Sequence, residues 1–425
     1  MITGLIITVF VLGYIAIAFE HPLKIDKAAS ALITGVLCWT IYILHNKSAD
    51  TVSEELLHHL GEIASILFFL LGAMTIVELI DSHDGFDIIT QKIKTSGKST
   101  LLLIIVTLTF FLSALLDNLT TAIVMTSLCS KILEEKEDRL WFAGLIVIAA
   151  NAGGAWSPLG DVTTTMLWIG GQITALNIMK QLLLPSLLAC LIPTLIVAYR
   201  FKGSRVAAMP QSLCTPQQKR EGRIILFFGI GFLVFVPLFK TLTHLPPFMG
   251  MLLALGLMWV ITTIIHKRKE QEYADRFTVA RALQKVDTPS ILFFLGILLA
   301  VSALQSFGIL KELAGFLSSN LRNDYLIGTA LGLLSAVVDN VPLVAASQGM
   351  YDLSTYPTDH HFWEFLALTT GTGGSTVIIG SAAGVAVMGI EQINFMWYLK
   401  KIGWLALIGF ITGILVFLLQ MQLGA

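Results

Sequence analysis

The sequence predicts an all-α polytopic membrane protein made of two inverted five-span repeats, each carrying a re-entrant hairpin and a broken helix. Three observations carry this prediction. Hydrophobic residues make up 55% of the 425 positions and charged residues only 13%, against ~25% charged in soluble domains. Apolar stretches of membrane-crossing length, ~17–25 residues, follow one another along the chain. The third is internal repetition: Ser113-Ala-Leu-Leu-Asp117-Asn118 returns as Ser335-Ala-Val-Val-Asp339-Asn340, 222 positions later.

The first half opens on the apolar stretch 2–19. It lacks a basic leader and a small-residue cleavage site, and its positive charges, Lys24 and Lys27, come after it. It therefore reads as a retained span rather than a signal peptide. Helices at 28–45 and 61–80 follow. Segment 99–133 is interrupted at 113–120, which leaves arms of 14 and 13 residues. At 1.5 Å per residue each arm is ~20 Å long, short of the ~30 Å hydrocarbon core, so a re-entrant hairpin fits better than two crossings. Segment 140–172 is interrupted at 153–161, and 178–200 closes the first repeat, 1–200. A polar linker at 201–223, with Pro210, Pro216 and a basic cluster, is the boundary. The second repeat, 224–425, has the same order: 224–240, 248–265, 289–308, a hairpin at 325–350 interrupted at 335–342, a broken helix at 362–390 interrupted at 371–380, and 396–420.

Five crossings per half is an odd number, so two such halves must be inverted relative to one another. The basic residues agree. With the N-terminus outside, all of the 27 Lys and Arg except Lys47, Lys180, Lys240, Lys311 and Arg322 fall on the cytoplasmic side, as the positive-inside rule requires. Both termini are then outside a cell (inner) membrane and the linker is cytoplasmic. The repeat extends beyond the Asp-Asn pairs: Ser65-Ile-Leu-Phe-Phe-Leu70 matches Ser290-Ile-Leu-Phe-Phe-Leu295 at an offset of 225, and Gly153, Gly154 and Gly160 match Gly373, Gly374 and Gly380 at 220. Cys38, Cys129 and Cys190 lie in apolar segments and Cys214 in the basic linker, so neither a disulfide framework nor a zinc site is expected.

The chemistry is expected at four interruptions, 113–120, 151–165, 335–342 and 371–384. An ionised Asp near a bilayer centre costs ~2.5–3.5 kcal/mol on insertion scales, so such residues face a cavity or a partner and mark an ion path. Backbone that leaves a helix at this depth is tolerated only against protein or water. Here the lining holds Asp117, Asp161 and Asp339, with neutral oxygens on Ser113, Asn118, Thr120, Thr121, Asn151, Ser157, Thr163, Thr164, Asn340, Ser375, Thr376 and Ser381, and no Lys or Arg within the four segments. That donor set suits a hard monovalent cation, with Na⁺ expected at Asp117, Asp161, Thr163 and Asn340. Gly153, Gly154, Gly160, Gly373, Gly374 and Gly380 are expected at the breaks. Plainer roles compete with these. The glycines would also permit close helix packing, and Asp117, Asp339 and Asp161 would also cap helices. His58-His59 and His360-His361 read as solvated loop residues, and Trp39, Trp397 and Trp404 as lipid anchors.

At these residues the chain resembles NhaD-type sodium/proton antiporters. Ser113-Ala-Leu-Leu-Asp-Asn-Leu-Thr-Thr121 and Asn151-Ala-Gly-Gly-Ala-Trp-Ser-Pro-Leu-Gly-Asp-Val-Thr-Thr-Thr165 look like the family signatures, and Asp339-Asn340-Val-Pro342 with Gly371-Thr-Gly-Gly-Ser-Thr376 like their second-half counterparts. The similarity covers essentially the whole chain and is most specific at Gly-Gly-Ala-Trp-Ser-Pro. The wider relationship is with the ion transporter superfamily, which also holds arsenite, dicarboxylate and citrate carriers. The resemblance implies a homodimer with scaffold and transport domains working by an elevator-like motion. The dicarboxylate branch carries Ser-Asn-Thr motifs at the hairpin tips, which this chain lacks.

The expected activity is exchange of Na⁺ (or Li⁺) for H⁺ through one shared site, with Asp117 and Asp161 as principal carriers and Asp339 as their symmetry-related partner. No catalysis and no cofactor beyond the transported ions is expected. The alternatives are an arsenite or carboxylate carrier on the same scaffold, a passive cation channel, and an intramembrane aspartyl protease. The last would need two paired membrane carboxylates, but its usual Gly-x-Gly-Asp is Pro158-Leu-Gly-Asp161 here.

Overall fold

In a computed structural model, described for residues 2–45, 49–86, 88, 95, 97–205, 215–267, 277–321 and 323–423, the chain folds into helices joined by short turns. Among the described residues there is no strand, only an isolated bridge between Gly97 and Arg205. Lys47, Pro210, Cys214 and Arg322, and residues 206–214 of the expected linker, lie outside the described residues, whereas 216–223 of that linker are helical.

The first half contains α1 (Ile2–Ala18), α2 (Glu20–Leu23), α3 (Lys27–His45), α4 (Ala49–Ser82), α5 (Lys98–Leu116), α6 (Asn118–Ile132), α7 (Lys136–Ala155), α8 (Val162–Ile169) and α9 (Ala175–Arg200). The second contains α10 (Pro216–Thr243), α11 (Pro247–His266), α12 (Val279–Lys285), α13 (Thr288–Ser306), α14 (Ile309–Leu321), α15 (Asp324–Leu334), α16 (Asn340–Met350), α17 (His361–Gly373), α18 (Ala382–Glu391), α19 (Phe395–Tyr398) and α20 (Trp404–Leu423). Among the described residues, eight helices are long and apolar enough to cross a membrane, and the chain is a multi-pass membrane protein.

Helix starts follow local chemistry. Thr215 and Gln218 form a reciprocal capping box in front of α10, with Pro216 at its first position, where the missing N–H costs nothing. Asp287 accepts from the Ser290 N–H to start α13, again with Pro at the first turn. Side-to-side packing relies on small residues, as expected where lipid and core are equally apolar. A Cβ on Gly35 of α3 would lie 2.6 Å from the Gly296 carbonyl of α13, and one on Gly409 of α20 would lie 2.2 Å from the Ala189 carbonyl of α9. Trp39 is buried between α3 and α13 and donates from Nε1 to the Leu299 carbonyl at 2.9 Å, so it is a packing residue and not the lipid anchor expected.

Several boundaries differ from expectation. Helix α4 begins at Ala49 and not near 61, because its first turns carry Asp50, Glu54, Glu55 and His58, which hydropathy reads as loop. His58 and His59 are therefore helical. The His59 side chain is only 14% exposed and reaches Ser306 Oγ at 3.2 Å, so it is not solvated. Helix α14 was not anticipated, although Leu310, Leu313, Ala314, Leu317 and Leu321 have helical spacing. In the first hairpin, α5 runs from Lys98 to Leu116 and only Asp117 interrupts it. Its 19 residues span ~28 Å, so the length argument for re-entry fails for this arm. It holds for the second hairpin, whose arms have 11 residues each.

Two helices are broken. Helix α7 ends at Ala155 and α8 starts at Val162. Helix α17 ends at Gly373 and α18 starts at Ala382, with a short 3-10 turn at Ile378–Gly380 between them. Gly153, Gly154 and Gly373 thus lie inside helices and not in the breaks. The reason is close approach: a Cβ on Gly153 would sit 2.3 Å from the Phe110 carbonyl, and one on Gly373 would sit 2.0 Å from the Gly332 carbonyl. Gly160 and Gly380 lie in the breaks as expected, with backbone oxygens of Ser113 and Ala336 at 2.7 and 2.5 Å from their missing Cβ positions. Gly154 and Gly374 face the carbonyls of Gly160 and Gly380. The hairpins and breaks are therefore held backbone against backbone.

Candidate ion-binding site

Each hairpin is fixed to its neighbouring broken helix by a serine. Ser113 Oγ donates to the Ala150 carbonyl at 2.6 Å, and Ser335 Oγ donates to the Thr370 carbonyl at 3.0 Å. Ser157 Oγ adds a bond to the Ala114 carbonyl. These bonds hold each hairpin against the broken helix of its own half.

At the first tip, Asp117 stands alone between α5 and α6 with φ 74° and ψ 156°. This region is populated almost only by glycine, and a side chain there stores ~1–3 kcal/mol of strain. Its carboxylate accepts from the Thr120 N–H at 2.8 Å and from Thr120 Oγ1 at 2.9 Å. At the second tip, Asp339 caps α16 through the Val341 N–H at 3.2 Å. Its other oxygen, Oδ2, lies 3.9 Å from Lys27 Nζ.

At the breaks, Asp161 and Ser381 hold the same cap conformation, φ −145° ψ 148° and φ −147° ψ 151°. Asp161 Oδ1 accepts from the Thr163 N–H at 3.1 Å, and Ser381 Oγ from the Gly384 N–H at 3.2 Å. Only the first of these matched caps is charged. Asp161 Oδ2 also receives two side-chain amides, Asn118 Nδ2 at 3.2 Å and Asn340 Nδ2 at 3.1 Å. The asparagines of the two Asp-Asn pairs, one per half of the chain, thus converge on one carboxylate oxygen. Asn118 Nδ2 also donates to Asn151 Oδ1 at 3.0 Å, and Asn151 Nδ2 donates to Ser375 Oγ and Ser381 Oγ, both at 2.9 Å. Asp161 is 2% exposed, and Asn118, Asn151, Asn340, Ser375 and Ser381 are likewise buried.

Asp117 and Asp161 line a common cavity of about 20 Å³, closed by Phe69, Met74, Leu233 and Met251 from α4, α10 and α11. A space of that size takes one water or an ion of similar size. Among the described residues, the hydroxyls of Thr121, Thr163 and Thr376 are buried without a hydrogen-bond partner. Thr164 Oγ1 is engaged with the Asp161 carbonyl at 2.9 Å.

The structure therefore brings together Asp161, Asn118, Asn151, Asn340, Ser375 and Ser381, with Asp117 across the shared cavity. Asp339, expected as the symmetry-related partner of these two carriers, makes its contacts with Lys27 and Val341. Sequence reasoning placed Lys27 only in a loop and missed this contact, for which spacing gave no signal. It also missed Tyr398, whose buried hydroxyl donates to the Ser375 carbonyl at 2.8 Å. Two buried carboxylates went unnoticed as well. Asn177 Nδ2 donates to Glu364 at 2.6 Å, and Arg139 and Ser130 both reach Glu391. Each lies near the end of an otherwise apolar helix, and that isolation was a usable signal.

Asp117 yields a direct test of strain. Asp117→Gly relieves the unfavourable backbone angle while removing the carboxylate. The expected result, read by thermal unfolding of the purified protein, is a variant at least as heat-stable as the parent.

The chain is similar to known transporters along most of its length. The family model described as "Citrate transporter" matches residues 14–373. Sodium/proton antiporter 1 of Arabidopsis thaliana is 46% identical over 410 residues, covering 96% of this chain and 71% of its own length. Sodium/proton antiporter 2 of the same plant is 44% identical over 96% of this chain and 97% of its own. The Na⁺/H⁺ antiporter NhaD of Vibrio cholerae is 30% identical over 445 aligned residues, covering 97% of this chain and 90% of its own. The chain belongs to the NhaD-type sodium/proton antiporter family. It is accordingly a transporter and not an enzyme, as its sequence led one to expect.

Proposed function

We propose that this protein exchanges Na⁺ or Li⁺ for H⁺ as a secondary active antiporter, through one site centred on Asp161. The observation that carries the proposal is the convergence of Asn118 and Asn340 on the single buried oxygen Oδ2 of Asp161. A carboxylate buried in this way is stable when its charge is neutralised, by a proton or by a metal ion. Both neutralise the same oxygens, so they compete, and competition at one site is sufficient to couple their fluxes. Asparagine suits the exchange because its side chain offers a donor or an acceptor according to its rotation. The amides that now donate to Asp161 can present Oδ1 to a bound sodium ion. Asp117 across the cavity and the hydroxyls of Thr121 and Thr163 complete the oxygen set. The same chemistry argues against an anionic substrate here, since the cluster around Asp161 contains no Lys or Arg. No cofactor takes part.

The motion follows from a two-body arrangement, a transport domain carrying the hairpins and breaks and a scaffold built on α1, α3, α4, α10, α11 and α13, with two inverted repeats joined by a cytoplasmic linker. Recurrent packing supports this reading: α1 lies on α3 and α10 on α11, α3 on α13 and α11 on α4, α5 on α7 and α15 on α17, α6 on α18 and α16 on α8. The protein works as a homodimer in the cell (inner) membrane, with both termini outside.

The test is a pH-dye assay in everted vesicles with Na⁺, Li⁺ and K⁺, with and without a clamped membrane potential. Na⁺ or Li⁺ is expected to release the proton gradient and K⁺ to fail. Gradient-independent sodium flux, or uptake of citrate or arsenite in place of sodium exchange, would overturn the proposal.

A further inference from the structure

The two hairpin tips repeat the same sequence but differ in what faces their aspartates. Asp339 Oδ2 lies 3.9 Å from Lys27 Nζ, and the two side chains are only 21% and 15% exposed for Lys27 and Asp339 respectively. The ammonium is also held over the Phe293 ring of α13, 4.6 Å from its centroid. The acidic groups near the start of α3 are engaged elsewhere: Asp26 accepts from the Ala28 N–H at 2.8 Å, and Glu20 from the Lys27 N–H at 3.4 Å. Lys27 is the first residue of α3, and the residue that opens the matching helix α11 is Pro247. Among the described residues no Lys or Arg pairs with Asp117. The neighbours that α10 and α11 bring to its cavity are Leu233 and Met251. Sequence symmetry thus hides an electrostatic asymmetry.

We propose that Lys27 is a tethered cation that stands in for a transported one at Asp339. The pair neutralises the second tip, so Asp117 and Asp161 remain as the carboxylates that respond to sodium and protons. It also latches α3 and α13 to the hairpin α15–α16. The contact has a defined sign. A partly buried pair is screened less than an exposed one, and removing one member leaves the other charge uncompensated, which costs more than neutralising both. Freed of Lys27, Asp339 becomes a second place for a mobile cation. Lys27 is on this account a positioning residue. Its kinetic consequence rests on the antiport reading above, whereas the latch does not.

The experiment is a double-mutant cycle with Lys27→Met, Asp339→Asn and the double variant, with Lys27→Arg as the conservative control. Purified proteins are compared by thermal unfolding, and vesicles by the sodium dependence of exchange. Lys27→Met is expected to lower the Tm and to shift the apparent KM for Na⁺ by threefold or more. Lys27→Arg should stay near the parent, and the double variant should be more stable than Lys27→Met alone. If Lys27→Met fails to accumulate, accumulation of the double variant reads the same coupling. Additive effects in the thermal cycle would overturn the latch. An unchanged KM in an active Lys27→Met variant would overturn its kinetic role. Absence of sodium exchange in the parent itself would instead overturn the antiport reading, with the thermal cycle still deciding the ion pair.

Discussion

Asp161→Asn is expected to abolish sodium-driven proton exchange while leaving the fold intact. The substitution preserves shape, and asparagine caps helices as well as aspartate does, so the bond from the Thr163 N–H to Oδ1 survives and α8 keeps its start. What changes is Oδ2, where the amides of Asn118 and Asn340 now meet. An asparagine that keeps its cap turns its own NH₂ toward Asn118 and Asn340, whose amides can rotate to accept from it. It also removes the only full charge within the hydrogen-bonded cluster. A loss of about 3 kcal/mol in ion binding corresponds to a weakening of more than a hundredfold. The check is sodium-driven dequenching of a pH dye in everted vesicles beside thermal unfolding of the purified variant. A stable variant without exchange is the expected pair of results.

Gly153→Ala and Gly373→Ala are expected to have the largest structural effects. In each, the new methyl group would meet a backbone carbonyl, Phe110 at 2.3 Å or Gly332 at 2.0 Å. A flexible side chain can move aside, but a helix backbone cannot without displacing its whole arm. Overpacking of this kind costs ~1–3 kcal/mol and sometimes more. Both variants should show reduced accumulation in the membrane and a clearly lower Tm. Gly61→Ala is a control, since nothing lies within 4 Å of its added Cβ.

These glycines also show how far the sequence could be read. The matched sets Gly153, Gly154, Gly160 and Gly373, Gly374, Gly380 located the broken helices correctly. Their roles were visible only in three dimensions, because a close approach is a property of the partner backbone and not of the glycine. The Asp-Asn repeats likewise located both tips and marked Asp339 as the symmetry-related partner of Asp117. They did not show Lys27, distant in sequence and placed by the packing of α3 against α13, as the group that faces Asp339. Helix ends were legible where an apolar run stops at a polar residue, as at His45 and Arg200, but the start of α10 at Pro216 falls inside the expected linker despite its Thr215 cap. They were lost where polar turns extend an apolar helix, as at α4, or where Ser113 bonds sideways to Ala150 and lets α5 continue to Leu116. Asn118, Asn151, Asn340, Ser375 and Ser381 were all legible as polar oxygens at breaks, but that they form one chain of bonds ending on Asp161 was not.

On the proposed mechanism, sodium and a proton exclude one another at Asp161. The most direct measurement is proton release by the purified protein on titration with NaCl in weakly buffered solution, with KCl as control. Sodium binding is expected to release protons from the parent protein and none from Asp161→Asn. Saturable sodium binding with no proton release, or equal release from both proteins, would contradict it.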